Sequence, residues 1–225
     1  MPGKNTRLLL DKPLIVWTIE AAKRVSDISR VIVNTDDKEI ADISGKCGVE
    51  IFMRPKELAE DLSDDFSVFF HHLKILKEKN DLPDMIVDLR ATAPLRRAER
   101  IAEGIELLSK LGKEKVDSVR VVSVAAKHPY KMWRMDNGFL QPLFDEKYAG
   151  IKEPYNAPRQ ALPNIYQNNG CMNAFWPETV LEKKSVTGDK VAGYVMEDWE
   201  SVNIDTELDF LAAEHLMRKH KKLYE

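Results

Sequence analysis

Arg30-Val31-Ile32-Val33-Asn34-Thr35-Asp36-Asp37, running on into Lys38-Glu39-Ile40-Ala41, decides the fold class. An unbroken β-branched run reads as a strand buried on both faces, because a strand with one wet face would alternate with polar residues. It breaks at Thr35-Asp36-Asp37, residue types that cap a helix N-terminus, so a helix over about 38–46 follows. The same alternation extends outward in both directions. Upstream, Pro13 sits near the first turn of a helix carrying Leu14, Ile15, Trp17, Ile19, Ala21, Ala22 and Val25. Downstream, Val49–Phe52 is a strand closed by Arg54-Pro55, and residues 65–79 form an amphipathic helix bearing Phe66, Val68, Phe69, Leu73 and Leu76. Met85–Leu89 is a third strand, a helix runs from about Arg97 to Leu111, and Val116–Val124 is a fourth strand. Strands alternating with helices of this length make βαβ units, so the expectation is an α/β fold with a mostly parallel sheet flanked by helices.

Beyond Ala126 the rhythm changes. Residues 127–168 carry Pro129, Pro142, Pro154, Pro158 and Pro163, interleaved with Tyr130, Trp133, Phe139, Phe144, Tyr148, Tyr155 and Tyr166. A structureless connection of that length is foreign to a compact domain. The segment reads instead as a hairpin-like arm that covers a site or packs on another subunit. Regular structure resumes at Gly170–Trp176 and around Tyr194–Ile204, and a last helix spans Thr206 to about Lys219. With no repeat, low-complexity tract or linker, the organisation expected is one domain over 1–225 with an inserted arm over about 127–168.

The chain has 225 residues, 44% of them hydrophobic and 32% charged. Its 34 basic and 37 acidic side chains leave a formal charge of −3, which excludes a charge-driven nucleic-acid binder and a disordered chain. Cys47 and Cys171 are too few for a disulfide framework and read as reduced, buried thiols. No apolar run approaches the roughly 20 residues that span a bilayer, and Met1 leads into Pro2-Gly3-Lys4-Asn5, which is no signal peptide. The expectation is a soluble, cytoplasmic protein without membrane or nucleic-acid partners.

In a parallel sheet ligands sit off the carboxyl ends of strands, which directs attention to four polar segments. Pro2-Gly3-Lys4-Asn5 offers a flexible backbone and an ammonium just upstream of a helix, as a phosphate requires, though Pro-Gly also serves as a plain turn. Thr35-Asp36-Asp37 is the second segment. Arg90-Ala-Thr-Ala-Pro-Leu-Arg96 follows a strand and carries two guanidiniums and a hydroxyl, suited to a carboxylate or phosphate or to a solvated capped turn. Asn203-Ile204-Asp205-Thr206-Glu207-Leu208-Asp209 places Asp205 where it can cap a helix or, as a hard oxygen donor, hold magnesium; a capping oxygen is not free for metal, so the roles compete. His71, His72, His215 and His220 read as surface or helix-end residues, and His128 opens the arm. The Met and Trp positions read as core filling, and no Ser/His/Asp or Cys/His arrangement is legible.

Taken in order, PGKN at 2–5, KPLIVWTIEAA at 12–22, VIVNTDDKEIA at 31–41, LRATAPLR at 89–96, NNG at 168–170 and NIDTELDF at 203–210 resemble the bacterial acylneuraminate cytidylyltransferases. The resemblance implies a Rossmann-like nucleotidyltransferase fold, a homodimer whose arms help build the neighbouring site, and Mg2+ as cofactor. It implies transfer of CMP from CTP to a nonulosonic (sialic-type) acid with release of pyrophosphate, for lipopolysaccharide or capsule biosynthesis. The protein's part would be to align reactants and neutralise phosphate charge. Carried onto this chain, Lys4 and Asp205 are the catalytic pair, and Lys4, Asn5, Arg7, Arg90 and Thr92 contact the nucleotide. Arg90, Arg159, Gln160, Asn169 and Gly170 contact the sugar, with Arg159 and Gln160 on its carboxylate. Asp205 and Asn203 hold the metal.

Three departures accompany the resemblance. The family commonly has Gln where this chain has Arg90. Many members have Asp where this chain has Asn203, which implies weaker magnesium binding here. The family also opens with a hydrophobic strand and a Gly-rich basic loop ahead of PGKN, roughly a dozen residues by ordinary strand and loop lengths, and this chain begins after them. The alternatives are a cytidylyltransferase for the eight-carbon acid Kdo, and a non-catalytic homologue acting as an assembly partner.

Overall fold

The computed structural model describes residues 1–60 and 63–224. They divide into two compact units, one of residues 1–122 with 168–225, the other of residues 123–167.

The first unit opens with a tight antiparallel pair, β1 (Leu8–Leu9) and β2 (Lys12–Pro13), then α1 (Leu14–Lys23). β3 (Ile32–Thr35), α2 (Lys38–Lys46) and β4 (Glu50–Met53) follow as a βαβ unit with β3 and β4 parallel, Ile32 opposite Glu50. Asp37 caps α2 through the backbone N–H groups of Glu39 and Ile40, which is why the strand turns into a helix there. Next come α3 (Asp65–Glu78), β5 (Ile86–Asp88), α4 (Ala98–Leu111) and β6 (Ser118–Val124), whose last two residues enter the second unit.

The second unit carries the antiparallel hairpin β7 (Trp133–Asp136) and β8 (Phe139–Pro142), and the short α5 (Glu146–Ala149). Its start is braced by His128: Nδ1 accepts from the Tyr130 N–H at 3.1 Å, so Nε2 carries the hydrogen and donates to Pro163 O at 3.0 Å. The histidine that opens the arm is thus a buried structural residue. Trp133 and Met135 depart from the core-filling expectation, for both are exposed, as are Phe139 and Leu140 on the facing strand.

The chain returns along β9 (Tyr166–Phe175), a strand longer than the sequence suggests, to α6 (Pro177–Leu181), β10 (Val191–Val195) and α7 (Glu207–Lys219). The larger sheet has the order β10-β6-β9-β5, with β10 parallel to β6 and β5 antiparallel to β9. Parallel pairing therefore appears where helices cross over, and β9, which is the return from the arm, supplies the antiparallel member.

Two clusters fix the site. Ile101 and Leu108 of α4 pack on Val119, Val121, Cys171, Met172 and Ala174 of the sheet. Leu9, Leu14 and Trp17 pack on Leu95, Ile204, Phe210, Ala213 and Met217, which ties both ends of the chain to the loop after β5. At about 1.5–3 kcal/mol for each fully buried large side chain, that second cluster is what brings residues some 200 apart in sequence into contact. Among the described residues no helix is long and apolar enough to cross a membrane. Cys171 is buried and Cys47 half-buried, both as free thiols.

Candidate active site

A continuous set of contacts runs from the first turn of the chain to the start of α3, all within the first unit. Lys4 Nζ donates to Asp205 Oδ1 at 2.9 Å and to Ile204 O at 2.7 Å. Asn203 Nδ2 donates to the other carboxylate oxygen of Asp205 at 2.7 Å, and Thr92 Oγ1 donates to Asn203 Oδ1 at 2.6 Å. The backbone N–H of Ile204 donates to Thr92 O at 2.8 Å, so the loop after β5 and the segment before α7 are joined through main chain as well. Gly170, at φ +69°, lies where a Cβ would stand 3.7 Å from both Arg90 Cδ and Asn203 Oδ1. Arg90 in turn forms an ion pair with Asp65, the first residue of α3.

Lys4, Asp205, Asn203, Thr92, Gly170 and Arg90, singled out from four separate stretches of sequence, are therefore brought together. Others are placed differently. Arg7 is in a two-pronged pair with Glu207 (2.5 and 2.6 Å) and its guanidinium lies 4.1 Å over the Phe210 ring, so it braces the first turn to α7. Its N–H bonds hold the Glu207 carboxyl below the usual carboxylate range. Asn169 is buried, accepting from Cys171 N at 3.1 Å and donating to Ser201 Oγ at 3.0 Å, so it holds β9 in place beside Gly170. Arg159 and Gln160 are exposed in the second unit, where the Arg159 guanidinium donates to the carbonyls of Ala125 and Ala126.

α1 starts only at Leu14, and its first N–H groups are already bonded, Leu14 to Arg7 O (2.9 Å) and Ile15 to Asn5 O (3.0 Å). What the turn does present is the Lys4 ammonium and the side chain of Asn5, whose Oδ1 is buried without a partner among the described residues. Asp205 is likewise not the cap of α7. That role falls to Thr206, whose hydroxyl accepts from Asp209 N while Asp209 bonds back to Thr206 N. The Asp205 carboxylate is left two-thirds exposed (66%) and free of the helix end.

Two further residues shape the site: Arg96, expected as an anion-binding or solvated guanidinium and found in neither place, and Asp65, which sequence reasoning did not single out. Arg96 is fully buried, donating to Cys171 O and to Thr18 Oγ1 (3.1 Å), with Arg90 O 3.4 Å from its Nη1. Burial pushes its guanidinium down to about 10. It fixes the loop that carries Arg90 and Thr92. Asp65 is the other; a sequence signal for it existed only as an acidic residue opening a helix. Beside them, burial pushes the carboxyl of Asp88 above its ordinary value, and Arg90 opposes that push.

As a metal site, the donor set is sparse. Among the described residues no three His, Cys, Asp or Glu side chains converge. One exposed carboxylate beside an ammonium fits magnesium, which keeps several waters and takes one or two carboxylates together with substrate phosphate oxygens. Asn203 Oδ1 already accepts from Thr92, so Asn203 first orients Asp205 and only secondarily offers a donor.

The family described as Cytidylyltransferase matches residues 1–217. The chain is 30% identical to the CMP-N,N'-diacetyllegionaminic acid synthase of Legionella pneumophila over 99% of its length and 92% of that protein. It is 29% identical to the N-acylneuraminate cytidylyltransferase of Escherichia coli over 98% of its length, spanning about half (49%) of that longer protein. In shape it is similar to a CMP:2-keto-3-deoxy-manno-octonic acid synthetase complexed with CTP, with a TM-score of 0.68, 14% identity and coverage of 98% and 93%. It is also similar to a 4-diphosphocytidyl-2C-methyl-D-erythritol synthase, with a TM-score of 0.65 and 11% identity over 95% and 94% of the two chains. The last two likenesses speak to the fold alone.

Proposed function

The chain belongs to the cytidylyltransferase family, and on that premise we propose that it transfers CMP from CTP to a nonulosonic acid of the sialic type, with Mg2+, releasing pyrophosphate. The observation that carries this reading is the contact set Lys4–Asp205–Asn203–Thr92, which puts an ammonium and an exposed carboxylate side by side at the end of β5. Lys4 is a compact positive charge suited to a triphosphate. Asn5 adds an unpartnered polar oxygen next to it. Asp205, held from one side by Lys4 and from the other by Asn203, would carry the magnesium, with Asn203 as the secondary donor. The metal, when bound, supplies charge neutralisation on the phosphates and on the leaving pyrophosphate. The residues of the chain align the acid's anomeric hydroxyl with the α-phosphorus and stabilise charge; in-line attack by that oxygen, whose proton passes to solvent, breaks the bond from the α-phosphorus to the oxygen bridging it to the β-phosphorus and expels pyrophosphate. Arg90 and Thr92 face the second substrate or the cytidine.

Similarity to nine-carbon acid enzymes extends through sequence over nearly the whole chain, whereas the Kdo-type likeness is one of shape at 14% identity, which favours the former. The exposed hairpin residues Met135, Phe139 and Leu140 support a homodimer formed through the arm, and CTP as substrate favours the cytoplasm.

The test is pyrophosphate release by the purified chain from CTP against a panel of nine-carbon 2-keto sugar acids and Kdo, with magnesium and with chelator. Release with a nine-carbon acid that chelator abolishes is expected. Release with Kdo alone would replace this reading by the eight-carbon one, and no release with any acid would overturn it.

A further inference from the structure

The turn that follows α7 has one inward-facing residue. Lys221, Lys222 and Leu223 are exposed, whereas Tyr224 is half-buried and packs on the cluster that holds Trp17, Leu95 and Ile204. Its hydroxyl donates to Leu95 O at 2.9 Å, and its own carbonyl accepts from Arg24 Nη2 at 3.1 Å. The Trp17 ring stands edge-on to it, with centroids 6.5 Å apart. Burial pushes the phenol above its ordinary value, so it stays a donor. Leu95 is wholly buried, and a buried carbonyl left without a partner is costly. Packing alone would ask only for an apolar residue at 224; a hydroxyl aimed at a loop carbonyl adds direction.

His220, the residue that closes α7, makes a second contact. Its ring stacks on Trp199, with 4.2 Å between centroids and 16° between planes. Trp199 opens the stretch that leads through the buried Glu200 to Asn203 and Asp205. Leu95 belongs to the loop that carries Thr92, and Ala93, Pro94, Leu95 and Arg96 are all buried. In a close-packed segment a shift at Leu95 is passed on to Thr92. One short turn therefore grips the two stretches of chain that meet in the site, where Thr92 Oγ1 donates to Asn203 Oδ1 at 2.6 Å and Ile204 N donates to Thr92 O at 2.8 Å.

We propose that the turn after α7 is a clasp on the active site, in which Tyr224 and His220 are positioning residues: Tyr224 fixes the loop of residues 90–96, His220 fixes the stretch of residues 198–205, and together they set how Thr92 meets Asn203. Neither residue touches substrate. Both act through Thr92 and Asn203, and so through the Asp205 carboxylate that Asn203 holds. This assignment rests on the cytidylyltransferase reading above.

The experiment joins amide hydrogen exchange on the ligand-free chain to steady-state kinetics, well below every thermal midpoint. The proteins are wild type, Tyr224→Phe, His220→Ala, Thr92→Val and the double variant Tyr224→Phe/Thr92→Val. Tyr224→Phe is expected to speed exchange over residues 90–96 about tenfold, and His220→Ala to do the same over 198–205, with α2 at wild-type rates in both. With CTP and the acid turned over best in the panel, Tyr224→Phe is expected to lower kcat/KM about tenfold, because misplaced groups lose alignment. In the Thr92→Val background the same change costs about threefold or less, since residues acting through one contact are not additive. Exchange that rises throughout the chain, or stays at wild-type rates in both stretches, overturns the clasp and leaves the function standing. So does faster loop exchange with kcat/KM unchanged, or a tenfold loss that multiplies in full onto Thr92→Val. A wild type that turns over no acid overturns the function, and the positioning role with it.

Discussion

Thr206 and Asp209 close a reciprocal cap on α7: the Thr206 hydroxyl accepts from Asp209 N at 3.3 Å, and Asp209 Oδ2 accepts from Thr206 N at 2.8 Å. The Thr206 hydroxyl also donates to Asp209 Oδ2 and holds that carboxyl below its ordinary value. This closure separates two jobs that a single Asp at the strand-to-helix junction would have to share. The helix end is satisfied without Asp205, so the Asp205 carboxylate is free to face Lys4 and Asn203.

Asp205→Ala is therefore expected to reduce pyrophosphate release by at least about a hundredfold, the scale of losing one group aimed at developing charge. Its thermal midpoint should stay close to wild type, since exposed residues outside caps and cores usually change stability by less than about 0.5 kcal/mol. A titration of magnesium followed by calorimetry in the presence of CTP should show weakened binding. A collapse of the thermal midpoint would mean that Asp205 supports the fold, against this division of labour.

Thr206→Ala reverses the pattern. Removing a Thr cap costs about 1 kcal/mol, and the urea midpoint should fall accordingly. Thr206→Ser keeps the hydroxyl and should recover most of it. A stability unchanged by Thr206→Ala would show that α7 is held by Phe210, Ala213 and Met217 in the core and not by its cap.

The alternation of strands and helices was legible from Val31–Asn34 and its counterparts because backbone pattern is a local property. Lys4, Arg90, Thr92 and Asp205 could be picked out as candidates because each lies in a polar segment at a strand end or ahead of a helix, and the structure brings them together. What was not legible was who partners whom. Arg7 and Lys4 are three residues apart and both cationic, yet one turns to Glu207 and Phe210 and the other to Asp205. Asp205 and Thr206 are both good caps, and Thr206 takes the role because Asp209, three residues on, closes the reciprocal bonds with it. The ion pair of Asp65 with Arg90 spans 25 residues of sequence, which no local pattern encodes.

Glu200 is fully buried between Arg97 and Arg100 at the start of α4, its Oε2 accepting from Arg100 Nε at 3.0 Å. Glu200→Gln removes the charge and leaves two guanidiniums facing a neutral amide. Breaking one side of a buried pair costs about 3–5 kcal/mol, so the urea midpoint should drop by far more than for any surface variant. A double variant that also replaces Arg97 by Met should recover part of that loss, and a further drop would show that Arg97 is stabilised by something other than Glu200.

Asp117 is one carboxyl that couples stability to acid. Its Oδ2 accepts from Asp189 N (2.8 Å), Lys190 N (3.0 Å) and Lys183 Nζ (2.9 Å), and the backbone N–H of Lys190 contributes most to lowering the carboxyl from 3.8 to about 2. Gly188 at φ +71° lets the chain wrap this closely, for a Cβ there would stand 2.3 Å from Asp117 Cβ. A carboxyl lowered in the folded state binds its proton more readily when unfolded. Its stabilisation is thus complete above about pH 4 and drains away as pH falls toward 2. Asp117→Asn should lower the thermal midpoint at pH 7 and also flatten the slope of stability against pH between about 4 and 2 relative to wild type. Denaturant melts at half-unit pH intervals read this directly, and parallel slopes for the two proteins would place the acid sensitivity in other carboxylates.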